Sequence, residues 1–126
     1  MKKDISLLNR AYNDVAGYTA DFNLNLLYRM ESELGVQIDF STFSHNAFYN
    51  EELARVEMHL ISNIKQVINI GGVEILFEKG ESIHTENSYK YSNNEFVQLA
   101  EKSGFGLVKL WNDVDDLFSV YYFRAI

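Results

Sequence analysis

Cysteine is absent from the 126 residues. Disulfide staples, thiolate catalysis and cysteine-type zinc sites are therefore excluded, while the compartment stays open. Proline is also absent, so no proline-rich linker divides the chain. No segment approaches the roughly 18 consecutive apolar residues that a membrane-spanning helix needs. The opening Met1-Lys2-Lys3-Asp4 leads into a mixed polar stretch without an apolar run of signal-peptide length, and a cytoplasmic protein is the expectation. Basic residues are few: 11 Lys and Arg against 18 Asp and Glu, a net charge of −7. Nonspecific nucleic-acid binding needs clustered cations and is disfavoured. Repeats and low-complexity tracts are missing too.

What is present suits a folded domain. Apolar residues make up 47% of the chain, with 9 Phe, 8 Tyr and 1 Trp. That is enough for a core and too much for a disordered segment. The length corresponds to one domain, or to a piece of a larger one.

The N-terminal third reads as helical. Asp4 to about Ala16 places Ile5, Leu8 and Tyr12 on one face, and Gly17 stops it. Thr19 is the expected N-cap of a second helix, with Asp21 in its first turn. Phe22, Leu26, Leu27, Met30 and Leu34 form a stripe expected in the core, and Gly35 suits a left-handed C-terminal position. Asp39 or Ser41 opens a short helical turn through Phe43, and from Phe48 the period changes to two.

Arg55–Ile61 alternates Val56, Met58 and Leu60 against Glu57 and His59, the mark of a half-buried strand. Val67–Ile70, Gly71-Gly72 and Val73–Phe77 predict a hairpin. Lys79-Gly80 turns the chain into a strand from Ser82 to Tyr91. Ser92-Asn93-Asn94-Glu95 is a capping box for a helix through Lys102, which Gly104 ends. Leu107–Trp111 and Ser119–Phe123 are two further strands. The acidic residues between them lack the spacing and glycine of a calcium loop and read as a solvated turn. Helices, then strands, then helix-strand-strand make an α+β arrangement, with the N-terminal helices packed on a mostly antiparallel sheet.

His84-Thr85-Glu86-Asn87-Ser88 carries the most chemical information. Alternate strand residues share a face, so Glu86 and Ser88 point together, about 7 Å apart. An ionised carboxylate only accepts hydrogen bonds, whereas a hydroxyl both donates and accepts. Such a pair complements an imidazole, which offers one N–H and one bare nitrogen. A pair of exposed polar residues is the competing reading. His45, His59 and His84 raise a second possibility. Glu57-x-His59 and His84-x-Glu86 on adjacent strands would assemble two imidazoles and a carboxylate for a metal. Surface or core histidines are the plainer reading, because nothing in the sequence sets the register between the strands.

Several segments resemble one family. They are Ala11-Tyr12-Asn13-Asp14-Val15-Ala16-Gly17, Thr19-Ala20-Asp21-Phe22-Asn23-Leu24-Asn25-Leu26-Leu27, Glu33-Leu34-Gly35, Phe43 to Asn50, Arg55 to Leu60, and Gly80 to Tyr91. Together they resemble the carboxyl-terminal, substrate-binding part of the histidine-specific, S-adenosylmethionine (SAM)-dependent Nα-methyltransferases of ergothioneine biosynthesis. The resemblance runs from about Leu8 to Phe123. It implies that residues 1–126 form one unit lacking the N-terminal cofactor-binding part, since no glycine-rich strand-to-helix loop is present. An excised fragment or a truncated gene product is the corresponding expectation.

The resemblance also implies roles. Glu86 and Ser88 would hold the two imidazole nitrogens, Met58 would line the acceptor pocket, and Tyr12 would bind the substrate carboxylate. The helix and strands from Glu95 to Phe123 would join a Rossmann-like methyltransferase sheet. SAM would belong to the full-length protein, with no cofactor expected in this chain alone, which would then be inactive by itself. Two alternatives stay open: a methyltransferase part for another aromatic amine, and a non-catalytic binding or oligomerisation module. The partners expected are a histidine-like small molecule, the missing methyltransferase part or a second copy, and neither nucleic acid nor membrane.

Overall fold

The computed structural model describes residues 1–126. Three helices, α1 (Ile5–Tyr12), α2 (Tyr18–Leu34) and α3 (Asn93–Lys102), accompany seven strands. These are β1 (Phe43–Asn50), β2 (Arg55–Ser62), β3 (Gln66–Ile70), β4 (Val73–Phe77), β5 (Ser82–Tyr89), β6 (Phe105–Asn112) and β7 (Ser119–Ala125). All pairing is antiparallel: a central sheet in the order β1-β2-β5 and two hairpins, β3-β4 and β6-β7. The α+β expectation holds. No helix is long and apolar enough to cross a membrane.

Local chemistry explains most element ends. Gly71 and Gly72, both at positive φ, make the two-residue turn that pairs Ile70 with Val73. Ser92 and Glu95 form the reciprocal capping box at the start of α3. Asp113 accepts the backbone N–H groups of Asp115 and Phe118, so the acidic stretch before β7 is a turn held by its own side chain.

The entry to α2 corrects the sequence reading. Thr19 lies inside the helix, and its N-cap is Gly17 at φ 80°. The Asp14 carboxylate instead accepts the N–H groups of both Tyr18 and Thr19. Those bonds, Thr19's first, hold Asp14 below the usual carboxylate range. The first helix likewise ends at Tyr12 rather than Ala16, because Asn13 is recruited elsewhere. Its amide donates to the Ala47 carbonyl and accepts the Ala47 N–H, while Asn9 Oδ1 accepts the Tyr49 N–H. Two asparagine side chains thus cover the free edge of β1.

Strand β1 starts five residues earlier than the periodicity indicates. His45 occupies a core-facing position between the buried Phe43 and Ala47 and disguises the alternation. The α2 stripe also divides. Leu27 is fully buried, with Leu24 and Met30 packed behind it, whereas Phe22 and Leu34 are exposed and Leu26 is near the edge. The helix buries the Asn23–Leu27 line.

Two apolar clusters hold the central body. One joins Leu27, Val36, Ile38, Phe43, Leu60, Ile68 and Phe77; the other joins Leu8, Ala47, Val56 and Met58. Each fully buried aliphatic side chain contributes about 1.5–3 kcal/mol. The α3-β6-β7 unit meets the chain leaving β5 through Tyr91, whose ring centroid lies 5.8 Å from that of Phe96, and within the unit Phe96 packs on Tyr121 at 4.8 Å. Leu107, Val108, Trp111, Val120 and Tyr122 of its hairpin are exposed.

Candidate functional site

Strand β5 leaves its register with β2 at one point. Met58 faces Glu86 and His59 faces His84, so Thr85 is the extra residue of a bulge. A bulge breaks the strict alternation of side chains. Thr85 and Glu86, though consecutive, both reach the side of the sheet covered by α2. Thr85 Oγ1 lies 2.6 Å from Asn23 Oδ1 and 2.9 Å from the Met58 carbonyl. The half-buried Glu86 lines a cleft of about 180 Å³ with Phe22, Asn23, Asn25, Leu26, Arg29 and Thr85. That is below the roughly 300–1,000 Å³ of a complete small-molecule site. It amounts to one wall and a floor.

Asn23 is the keystone of that floor. It is 3% exposed, on the buried line of α2. Its Nδ2 donates to His45 Nδ1 at 3.0 Å and to the His59 carbonyl at 3.1 Å, and its Oδ1 faces the Thr85 hydroxyl. His45 Nε2 in turn donates to the Tyr12 carbonyl at 2.8 Å, where α1 ends. These bonds set the imidazole tautomer. One network ties α1, α2, β1, β2 and β5 together behind the cleft.

Ser88 shares the Glu86 side of the sheet, opposite the buried Val56. Its Oγ is 2.8 Å from the Tyr12 hydroxyl. Lys90 donates to both, at 2.7 Å to Ser88 and 2.6 Å to Tyr12. Tyr12 and Ser88 are therefore directly bonded, with Glu86 one strand step of about 7 Å along the same face. Met58 lies apart from the cleft wall. It is 2% exposed and packs with Leu8, Ala47 and Val56 beneath the site, facing Glu86 in register.

Asn23, Thr85 and Lys90 were not anticipated as site residues. A polar residue at a buried helix position is the signal for Asn23. Lys90 continues the 86-88-90 alternation. Nothing in the local sequence announces the Thr85 bulge.

The three histidines do not share one face of the sheet. His45 faces the helices, whereas His59 and His84 stack on the opposite face with ring centroids 4.5 Å apart and planes at 19°. Glu57, His59 and His84 bring ligand atoms within 4.8 Å of one another. A zinc ion would need each nitrogen at about 2.0–2.1 Å with its in-plane lone pair aimed at the metal. Near-parallel stacked rings do not aim that way. One Glu57 oxygen is also held by Arg55 at 2.9 Å and by Asn50, and the other accepts from His59 Nε2 at 3.2 Å. The Arg55 bond keeps Glu57 below the usual carboxylate range. The His84-x-Glu86 pairing seen in the sequence is split across the sheet by the bulge.

A glycine-rich SAM cradle of the strand-to-helix kind is not formed at the β5–α3 junction. The β5-to-α3 junction is the natural strand-to-helix turn, and it carries no glycine. The Ser92–Glu95 capping box there uses the Ser92 and Glu95 amides.

Comparison with known proteins is consistent across organisms. Residues 1–125 match the family model described as histidine-specific methyltransferase, SAM-dependent. The chain is 34% identical over 113 residues to a histidine N-alpha-methyltransferase of Mycolicibacterium smegmatis, covering 88% of this chain and 35% of that protein. It is 33% identical over 113 residues to a histidine N-alpha-methyltransferase of Mycobacterium tuberculosis, with the same coverage. Ergothioneine biosynthesis protein 1 of Schizosaccharomyces pombe is 26% identical over 116 residues, spanning 91% of this chain and 15% of that protein. The chain thus spans about a third of the length of the two bacterial relatives.

Proposed function

This chain belongs to the SAM-dependent, histidine-specific methyltransferase family, and on that premise we propose that it is the acceptor-binding part of an enzyme that methylates the histidine α-amino group. Methyl transfer from a sulfonium is an in-line displacement. The protein must hold a neutral amine against the methyl group at a fixed angle and distance, and neither a nucleophilic side chain nor a metal is required. Recognition of the acceptor is the work of this chain. SAM would supply the methyl group when bound to residues outside the set described above.

The observation that carries the reading is the half-buried Glu86 in the α2–β5 cleft, with Ser88 on the same face and bonded to Tyr12. Glu86 forms none of the five ion pairs, so its carboxylate is available to accept an imidazole N–H. Tyr12 and Ser88 own two hydroxyl hydrogens. One is used between them, and Lys90 brings its own, so one remains to donate to a ligand. Ser88 directs it to the second ring nitrogen, or Tyr12 to a carboxylate oxygen. Met58 supplies an apolar support below Glu86. A phenylalanine ring would leave the carboxylate unpaired, a loss of about 1–3 kcal/mol.

Titration of the isotopically labelled chain with L-histidine, followed by NMR, tests this. Shifts at Phe22, Thr85 and Glu86 that vanish in Glu86→Ala are expected, with no matching response to L-phenylalanine. An equal response to both amino acids overturns the reading. Calorimetry with SAM alone should show no micromolar binding.

A second reading has its own support. The exposed Leu107, Val108, Trp111, Val120 and Tyr122 on β6-β7 are apolar surface of the kind that another polypeptide or a second copy covers. Both hairpin edges are open as well. Concentration-dependent elution in size-exclusion chromatography would favour an association module.

A further inference from the structure

Lys90 is half-buried, and both of its hydrogen-bond acceptors, Tyr12 Oη and Ser88 Oγ, are neutral hydroxyls. Its ammonium lies 4.7 Å from the Tyr12 ring centroid, so the ring face adds a further weak attraction. None of the five ion pairs includes it. A partly desolvated charge normally has a counter-charge, and here two hydroxyls hold the ammonium in place without neutralising it. A cation and two flanking hydroxyls form a binding set for a carboxylate, because the ammonium keeps one N–H and the hydroxyl pair keeps one O–H to direct at its anionic oxygens.

Glu86 lies two strand steps before Lys90 on the same face, with Ser88 between them. A molecule bearing an imidazole N–H at one end and a carboxylate at the other matches that order of acceptor, hydroxyl and cation. We propose that Lys90 is the counter-ion for the α-carboxylate of the acceptor and makes the site select amino acids over the corresponding decarboxylated amines. The inference rests on the acceptor-binding reading above and extends it.

Three ligands separate the contributions: L-histidine, imidazole-propionate (carboxylate without amine) and histamine (amine without carboxylate). Each is titrated by NMR into the chain and into Lys90→Met, Lys90→Arg and Glu86→Ala. The expected result is that Lys90→Met weakens L-histidine and imidazole-propionate about ten- to a hundredfold and leaves histamine unchanged. Lys90→Arg, which keeps the charge, should retain a preference for the two carboxylates and guards against misfolding of the neutral variant. Glu86-dependent histidine binding that is indifferent to Lys90 overturns this inference and leaves the acceptor reading intact. Equal weakening of all three ligands assigns Lys90 to the scaffold and also overturns it. Absence of any histidine response in the parent chain overturns both.

Discussion

The hydroxyls of Tyr12 and Ser88 stand 2.8 Å apart although 76 positions separate them in sequence. The end of the first helix and the C-terminal end of β5 thereby present one combined polar edge. Lys90 closes the triangle from two residues beyond Ser88.

Tyr12→Phe removes one corner and keeps the ring beneath Lys90. The loss in stability should be about 1 kcal/mol, the worth of an ordinary hydrogen bond. Binding of carboxylate-bearing ligands should fall while that of histamine holds. Chemical denaturation read beside the NMR titrations separates the two effects.

Asn23→Ala leaves His45 Nδ1 and the His59 carbonyl short of a partner and leaves the Thr85 hydroxyl with the Met58 carbonyl alone. Destabilisation of about 2–4 kcal/mol follows from several unsatisfied buried groups. The neighbouring exposed Asn25→Ala should stay within about 0.5 kcal/mol. In a cycle with Thr85→Val the two losses should be non-additive by about 0.5–2 kcal/mol. Strict additivity in urea unfolding would dissolve the network.

Met58→Ala opens a cavity against Leu8, Ala47 and Val56. A cost of about 2–5 kcal/mol is expected. Met58→Leu should cost under about 1.5 kcal/mol, since the volume is kept. The cleft volume itself should be affected only indirectly, because Met58 lies below it. A large binding defect in a Met58→Leu protein of unchanged stability would place the side chain at the ligand instead.

Glu95 links the N-terminus to α3. Its hydrogen bond from Lys2 and those from Ser92 lower its pKa from 4.5 to about 2. A carboxylate depressed by folding contributes stability above its unfolded pKa and loses it as pH falls through the folded value. The contribution is therefore complete above about pH 5 and disappears between 4.5 and about 2. Melting temperatures of the parent and Glu95→Gln should differ at neutral pH and converge at the acid end of that window. The side chain is 45% exposed, so salt should narrow the difference.

Local rules made parts of this fold legible. The Gly71-Gly72 turn and the Ser92–Glu95 box are decided by backbone conformation and neighbouring side chains, and both appear where the sequence places them. The start of β1 was hidden because a histidine fills a core-facing slot, and its cost is met by partners far away in sequence, Asn23 and the Tyr12 carbonyl. The α2 stripe misled for a related reason. Helical period locates an apolar face, but only packing decides whether Phe22 or Asn23 turns inward, and the inward one is the asparagine. Thr19 looked like a cap because its type suits the role, yet Asp14 reached the same amides first.

Residue chemistry and short-range periodicity were enough to determine the α+β class and the shared face of Glu86 and Ser88, because both depend on pattern within a strand or a turn, while the family showed in the resemblance of ordered segments to known proteins. The bulge at Thr85, the buried Asn23 network and the meeting of Tyr12, Ser88 and Lys90 were decided only in the folded molecule. Each is a hydrogen-bonding solution between distant segments, and such solutions exist only once packing has brought their donors and acceptors within about 3 Å.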